Sequence, residues 1–140
     1  MTKGDVYKAL KEDHENVKEL LKETIETGNT SKFPEIKKQL QIHMASEENY
    51  LYPAMEFVDE EMIKKNKYEH ELAWNKLSYL DNAREEDKDW MLNLKELNDL
   101  ILKHVEREEK SLFPKASEVI SVEAEEDIMK LMEEAKTETP

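Results

Sequence analysis

The sequence predicts an all-α fold: an antiparallel up-down-up-down four-helix bundle with a short C-terminal helix. Three observations carry that expectation. Two glycines and four prolines in 140 residues, with 39% of residues charged, leave few breakers and many solvated helix positions. Apolar residues recur at helical spacing along four segments of similar length. The breakers fall between these segments, and connections this short join antiparallel neighbours.

The first helix runs from about Asp5 to about Thr27, with Leu10, His14, Val17, Leu21 and Ile25 on one face, and Gly28-Asn29 is its stop signal. A second starts near Ser31, carries Ile36, Leu40, His43, Glu47 and Leu51 on one face, and meets Pro53. Asp59 with Glu60 and Glu61 is an N-terminal signature for the third, whose stripe is Ile63, Asn66, His70, Ala73 or Trp74, Leu77 and Leu80. The fourth begins near Asp87 and carries Met91, Leu94, Leu97, Ile101, His104, Glu108 and Leu112. After Pro114 a short turn leads to Ser121, the N-cap of a last amphipathic helix with Ile128, Leu131 and Met132. Residues 1–120 are expected to form the bundle. Residues 121–140 add a C-terminal helix and acidic tail, packed on or appended to the same domain.

Composition narrows the function. Without cysteine there is neither a disulfide framework nor a thiolate metal site, so any metal must be held by nitrogen and oxygen. A net charge of -13 argues against nucleic acid and anionic membrane surfaces as partners. The N-terminus MTKGDVYKALKED lacks the apolar run of a signal peptide, and no stretch approaches the ~18 consecutive apolar residues of a membrane span. A soluble, cytoplasmic protein is expected.

The chemistry lies in the histidines. The chain has four, one on each bundle helix, each on that helix's apolar stripe. HMASEENYLYP and HVEREEKSLFP share one frame, and DHENVKELL and EHELAWNKL echo each other more weakly, so the chain reads as two similar halves. Residues four apart share a helix face, so Glu47 and Glu108 point inward with His43 and His104. A buried carboxylate needs a cation, and no lysine or arginine sits on any of the four stripes. Histidine nitrogen with carboxylate oxygen suits iron, manganese or zinc. Four histidines and two glutamates exceed what one tetrahedral zinc uses. They fit two metals, with the glutamates bridging and the histidines terminal. With one bridging oxo or hydroxo group, about ten of roughly twelve octahedral positions are filled, and small ligands bind at the open ones.

The H…HxxxE…H…HxxxE constellation, with EENYLYP and EEKSLFP following, resembles the hemerythrin-like family, also called the HHE cation-binding domain, over residues 1 to about 120. The resemblance implies an antiparallel four-helix bundle around a non-haem di-iron centre, oxo- or hydroxo-bridged. It implies His14 and His43 as terminal ligands of one iron, His70 and His104 of the other, and Glu47 and Glu108 as the bridging carboxylates. Activities in that family include reversible dioxygen binding, oxygen or iron sensing, and roles in nitric oxide or iron-centre stress.

One departure bears on function. Oxygen-carrying hemerythrins take a fifth histidine from an HxxxH pair on the third helix, whereas here Asn66 or Trp74 stands in the missing member's place. Both are expected to face the core, Asn66 as a hydrogen bonder beside the ligands. The lost imidazole leaves an extra position open, away from a tuned oxygen carrier. The expected function is therefore a di-iron protein binding or sensing a small diatomic ligand, dioxygen or nitric oxide. The alternatives are a di-iron enzyme acting on peroxide or nitric oxide or oxidising iron, or an iron-binding module.

Of the remaining residues, Glu48 and Glu109 lie about 100° around the helix from the inward glutamates and are expected in solvent or hydrogen-bonded to ligands. Tyr50, Tyr52 and Phe113 are expected to pack the bundle end, with Pro53 and Pro114 terminating the long helices or starting a new turn. Tyr68 and Tyr79 are expected to be packing residues.

Overall fold

A computed structural model describes residues 3–138. Residues 1–2 and 139–140, the outer ends of the two expected segments, lie outside the described residues. Among the described residues the chain is all-helical, with no strand, and no helix is long and apolar enough to cross a membrane. The helices are α1 (Asp5–Thr27), α2 (Phe33–Ser46), α3 (Tyr52–Met55), α4 (Glu60–Asn82), α5 (Lys88–Arg107), α6 (Phe113–Val119) and α7 (Val122–Glu138).

Local sequence explains the boundaries. α1 ends at Gly28, whose φ of 71° lies in the left-handed region that a side chain disfavours, and the Gly28 N–H donates to the Thr24 carbonyl at 2.9 Å. A 3₁₀ turn at Thr30–Lys32 precedes α2, and the Asn29 side chain accepts from its Ser31 N–H at 3.0 Å. The Asp59 side chain caps α4 through the Met62 N–H at 3.1 Å. Ser121 Oγ accepts from the Ala124 N–H at 3.1 Å at the start of α7.

α1 packs against α2 and α5, and α4 against α5 and α2, so the four long helices touch in a ring. α7 lies against α1 and α2. The apolar interior falls into two clusters. One contains Leu21, Ile36, Leu77, Leu94 and Trp90; the other contains Val6, Leu51, Met55, Leu112 and Ile128. Every histidine lies, along its own helix, between a residue of one cluster and a residue of the other. A polar layer thus divides the core.

Four sequence expectations are corrected. Of the two roles expected of Pro53 and Pro114, ending the long helices does not hold and starting a new turn does: the helices that carry His43 and His104 widen into π-helical turns, Glu47–Leu51 and Glu108–Leu112, and continue as α3 and α6 with the proline in the first turn. Proline has no N–H to give and its ring crowds the carbonyl four residues back. The π turn bypasses both problems, because the Tyr52 and Phe113 N–H groups bond five residues back, to the Glu47 and Glu108 carbonyls. Trp74 is 36% exposed rather than core-facing, because its neighbour Ala73 takes the buried position. Leu131 is exposed, since Ile128 and Met132, four apart, define the buried face of α7. Trp90, absent from the expected stripe, is fully buried and donates its indole N–H to the Leu80 carbonyl at 2.9 Å, joining α5 to α4.

Trp90→Ala should lower unfolding free energy by about 3–5 kcal/mol through cavity formation and the orphaned carbonyl. Chemical denaturation measures this, and a change below about 1 kcal/mol would contradict the packing described.

Candidate metal centre

The six side chains singled out by the sequence converge. His14, His43, Glu47 and Glu108 offer ligand atoms that lie within 4.8 Å of one another, and so do Glu47, His70, His104 and Glu108. Both glutamates belong to both groups. Each histidine turns Nε2 inward. His14 Nε2 lies 3.0 Å from His43 Nε2, and His70 Nε2 lies 3.1 Å from His104 Nε2. Glu108 places Oε1 at 3.3 Å from His14 and Oε2 at 3.3 Å from His104, one oxygen toward each histidine pair. Glu47 Oε1 lies 3.4 Å from His43 and 3.2 Å from His70.

Each outward nitrogen is held by a carboxylate. His14 Nδ1 bonds Glu109 at 2.8 Å, His70 Nδ1 bonds Glu48 at 2.8 Å, and His104 Nδ1 bonds Glu69 at 2.7 Å. His43 Nδ1 bonds Asp13 at 3.4 Å. A carboxylate on Nδ1 fixes the ring's orientation and makes Nε2 the free nitrogen, as metal-bound histidines require. Lys136 in turn bonds Asp13 at 2.9 Å, and Arg107 pairs with Glu69.

The donor set fits a cation. Glu47 and Glu108 are fully buried, and no lysine or arginine pairs with either among the described residues. Glu47 Oε2 and Glu108 Oε1 have no hydrogen-bond partner. Glu108 Oε1 therefore approaches the His14 nitrogen without hydrogen-bonding it, as expected of two donors aimed at a common point. Donors about 2.1 Å from one ion and at right angles are about 3 Å apart, close to the spacings observed.

The model of the hemerythrin HHE cation binding domain matches residues 5–116. The chain belongs to that family. No match to a curated protein or to a solved structure was found.

Three side chains of this hemerythrin-like centre, Asp13, Glu69 and Tyr52, lie outside the pattern of the apolar stripes. Asp13 and Glu69 each precede a histidine in the same place in their halves; Asp13 orients His43 and Glu69 orients His104. Tyr52 is not at a bundle end. It is fully buried and its hydroxyl donates to Glu108 Oε2 at 2.6 Å, with Glu47 Oε1 at 3.4 Å and His70 Nε2 at 3.2 Å. In an α-helix the fifth residue after Glu47 would point about 140° away, whereas the π turn brings it to the same face. Tyr68 and Tyr79 are 59% and 41% exposed, so Tyr52 is the tyrosine these histidines meet. Asn66 is buried, its oxygen accepting from Arg107 at 3.3 Å and its nitrogen unpartnered. It thus supports the Arg107–Glu69–His104 chain.

Burial opposes charge on His43, but the Glu47 charge, the Asp13 hydrogen bond and Glu108 push its pKa up to about 10. Burial also opposes the charged forms of His70 and His104, and Glu47 with Glu48 nevertheless raises His70 while Glu108 with Glu47 raises His104. Glu108 is held well below the usual carboxylate range: burial acts against this, and His104 together with the other inward groups outweighs it. Burial and the charges of Glu47 and Glu108 push Tyr52 well above its ordinary value. Because His43 is raised from 6.5 to about 10, its charged form stabilises the fold fully below about 6.5, and that stability is lost as pH rises through about 10.

Thermal melts of chelator-treated protein should therefore fall from neutral pH toward pH 10, whereas iron-loaded protein, whose imidazoles bind as neutral ligands, should hold its midpoint. Parallel profiles for the two forms would count against a metal on these histidines.

Proposed function

We propose that this domain holds two iron ions and binds or senses a small diatomic ligand, dioxygen or nitric oxide. His14 and His43 hold one ion, His70 and His104 the other, and Glu47 and Glu108 span both. The observation that carries this reading is the sharing of both glutamates between two groups of four donors. The ring of helix contacts and the short connections support an antiparallel up-down-up-down bundle as the scaffold.

Held by these six side chains, a ferrous pair would supply reversible electron donation to a diatomic ligand. The chain supplies the enclosure. A cavity of about 20 Å³ adjoins all four imidazoles and is otherwise walled mainly by apolar side chains such as Leu40, Met44 and Ile101. One water requires about 10–15 Å³ by the same kind of measure, so this space suits a single small molecule. Asp13 and His43 also line a surface groove of about 260 Å³, which gives the centre a side facing solvent. The outer carboxylates keep the rings in place while a ligand enters and leaves.

Purified protein loaded anaerobically should contain two irons per chain, and its near-ultraviolet and visible spectrum should change on adding dioxygen, azide or nitric oxide. Glu108→Ala should lose at least one iron per chain. Chelation should lower the thermal midpoint, because binding to a preformed site is linked to folding. A fully loaded protein whose spectrum ignores all three ligands would refute the diatomic-ligand reading.

A further inference from the structure

The two halves of the centre each supply two histidines, one buried glutamate and outer carboxylates, and they differ chemically at an aromatic residue that lies against a histidine. Tyr52 and Phe113 occupy the same place in the two frames. Each follows a π turn, precedes a proline and is buried. Each lies against a histidine ring: Tyr52 against His70, with centroids 5.4 Å apart and planes 23° apart, and Phe113 against His14, at 5.8 Å and 7°. Phe113 shows that packing at this place needs no hydroxyl. The Tyr52 hydroxyl is an addition to the half that contains His70 and His104.

That oxygen sits among the donors. It is 2.6 Å from Glu108 Oε2, 3.2 Å from His70 Nε2 and 3.4 Å from Glu47 Oε1. The inward atoms of the donor set keep 3.0–3.4 Å from one another. Toward His70 and Glu47 the Tyr52 oxygen keeps the spacing of the set, and toward Glu108 it makes a shorter hydrogen bond, on the side where Asn66 is buried and tied to Arg107. We propose that Tyr52 is a phenolate ligand of the ferric ion held by His70 and His104, making the two metal positions unequal. Ligation forms an iron–oxygen bond and breaks the phenolic O–H bond. The proton leaves to solvent, and no electron is transferred. A ferric ion inverts the local electrostatics that otherwise keep the hydroxyl protonated between two carboxylates. Oxygen donors suit ferric iron, and the phenolate would favour it over the ferrous state.

This inference rests on the di-iron reading above, and the experiment separates the two. Iron is quantified in wild-type, Tyr52→Phe and Phe113→Tyr proteins, and each ferric form is examined by visible absorption and resonance Raman spectroscopy. The expected result is two irons per chain in wild type and Tyr52→Phe. Wild type alone of that pair should show a phenolate-to-iron charge-transfer band with enhanced tyrosine ring vibrations. The Raman signature can be sought in wild type alone, so the test does not depend on the variants folding, and Phe113→Tyr should add intensity by placing a second hydroxyl beside His14. Two irons without phenolate vibrations in wild type would overturn the inference while leaving the di-iron reading standing, and Tyr52 would then be only a hydrogen-bond donor to Glu108. Failure of wild type to bind two irons would overturn both.

Discussion

Two carboxylates buried at the centre of a helical core, with no lysine or arginine to pair them among the described residues, set the terms for the rest of this structure. Glu47 and Glu108 are inaccessible to solvent and each leaves one oxygen without a hydrogen bond. Isolated charges in such a place cost several kcal/mol each. Four imidazoles surround them, and those imidazoles are braced by Asp13, Glu48, Glu69 and Glu109. Eight acidic or imidazole groups around two carboxylates form an arrangement that bound metal cations stabilise and that apolar packing alone does not.

The two apolar clusters above and below this layer hold the helices rigid enough to keep donor atoms about 3 Å apart. The π turns at Glu47 and Glu108 reconcile two requirements in each half. They let the helix pass a proline, and they put the fifth residue after the glutamate, Tyr52 or Phe113, on the same face as that glutamate. The pseudo-symmetry is broken outside the donor set as well. On the His43 side Asp13 meets Lys136 of α7, while on the His104 side Glu69 meets Arg107, which also holds Asn66. One bracing chain therefore reaches into a C-terminal helix beyond the matched family region, and the other closes within it.

Much of this was legible in the sequence because polar residues interrupting an apolar stripe are conspicuous. His14, His43, His70 and His104 stand where the stripes demand hydrophobic side chains, and Glu47 and Glu108 lie one α-turn after a histidine. The helix stops at Gly28 and the caps at Asp59 and Ser121 follow from local hydrogen bonding, and short-range signals of that kind survive folding. What could not be read depends on a change of helical period. A strict α repeat places Tyr52 away from Glu47, and only the π turn before Pro53 reverses that. Proline read alone fits either an end or a new first turn, so the sequence leaves the continuation into α3 and α6 open. At Trp74 and Leu131 the stripe offered two neighbours for one place, and the side chain beside each took it: Ala73 in α4 and Met132 in α7.

The central claim is that Glu47 and Glu108 are shared by two metal ions, and crystallography at the iron absorption edge addresses it most directly. Crystals of iron-loaded protein should show two anomalous peaks within about 4 Å of each other, a separation typical of carboxylate-bridged metal pairs. One peak should lie beside His14 and His43, the other beside His70 and His104, with a glutamate oxygen between them. A single peak, or two peaks too far apart to share either carboxylate, would contradict it.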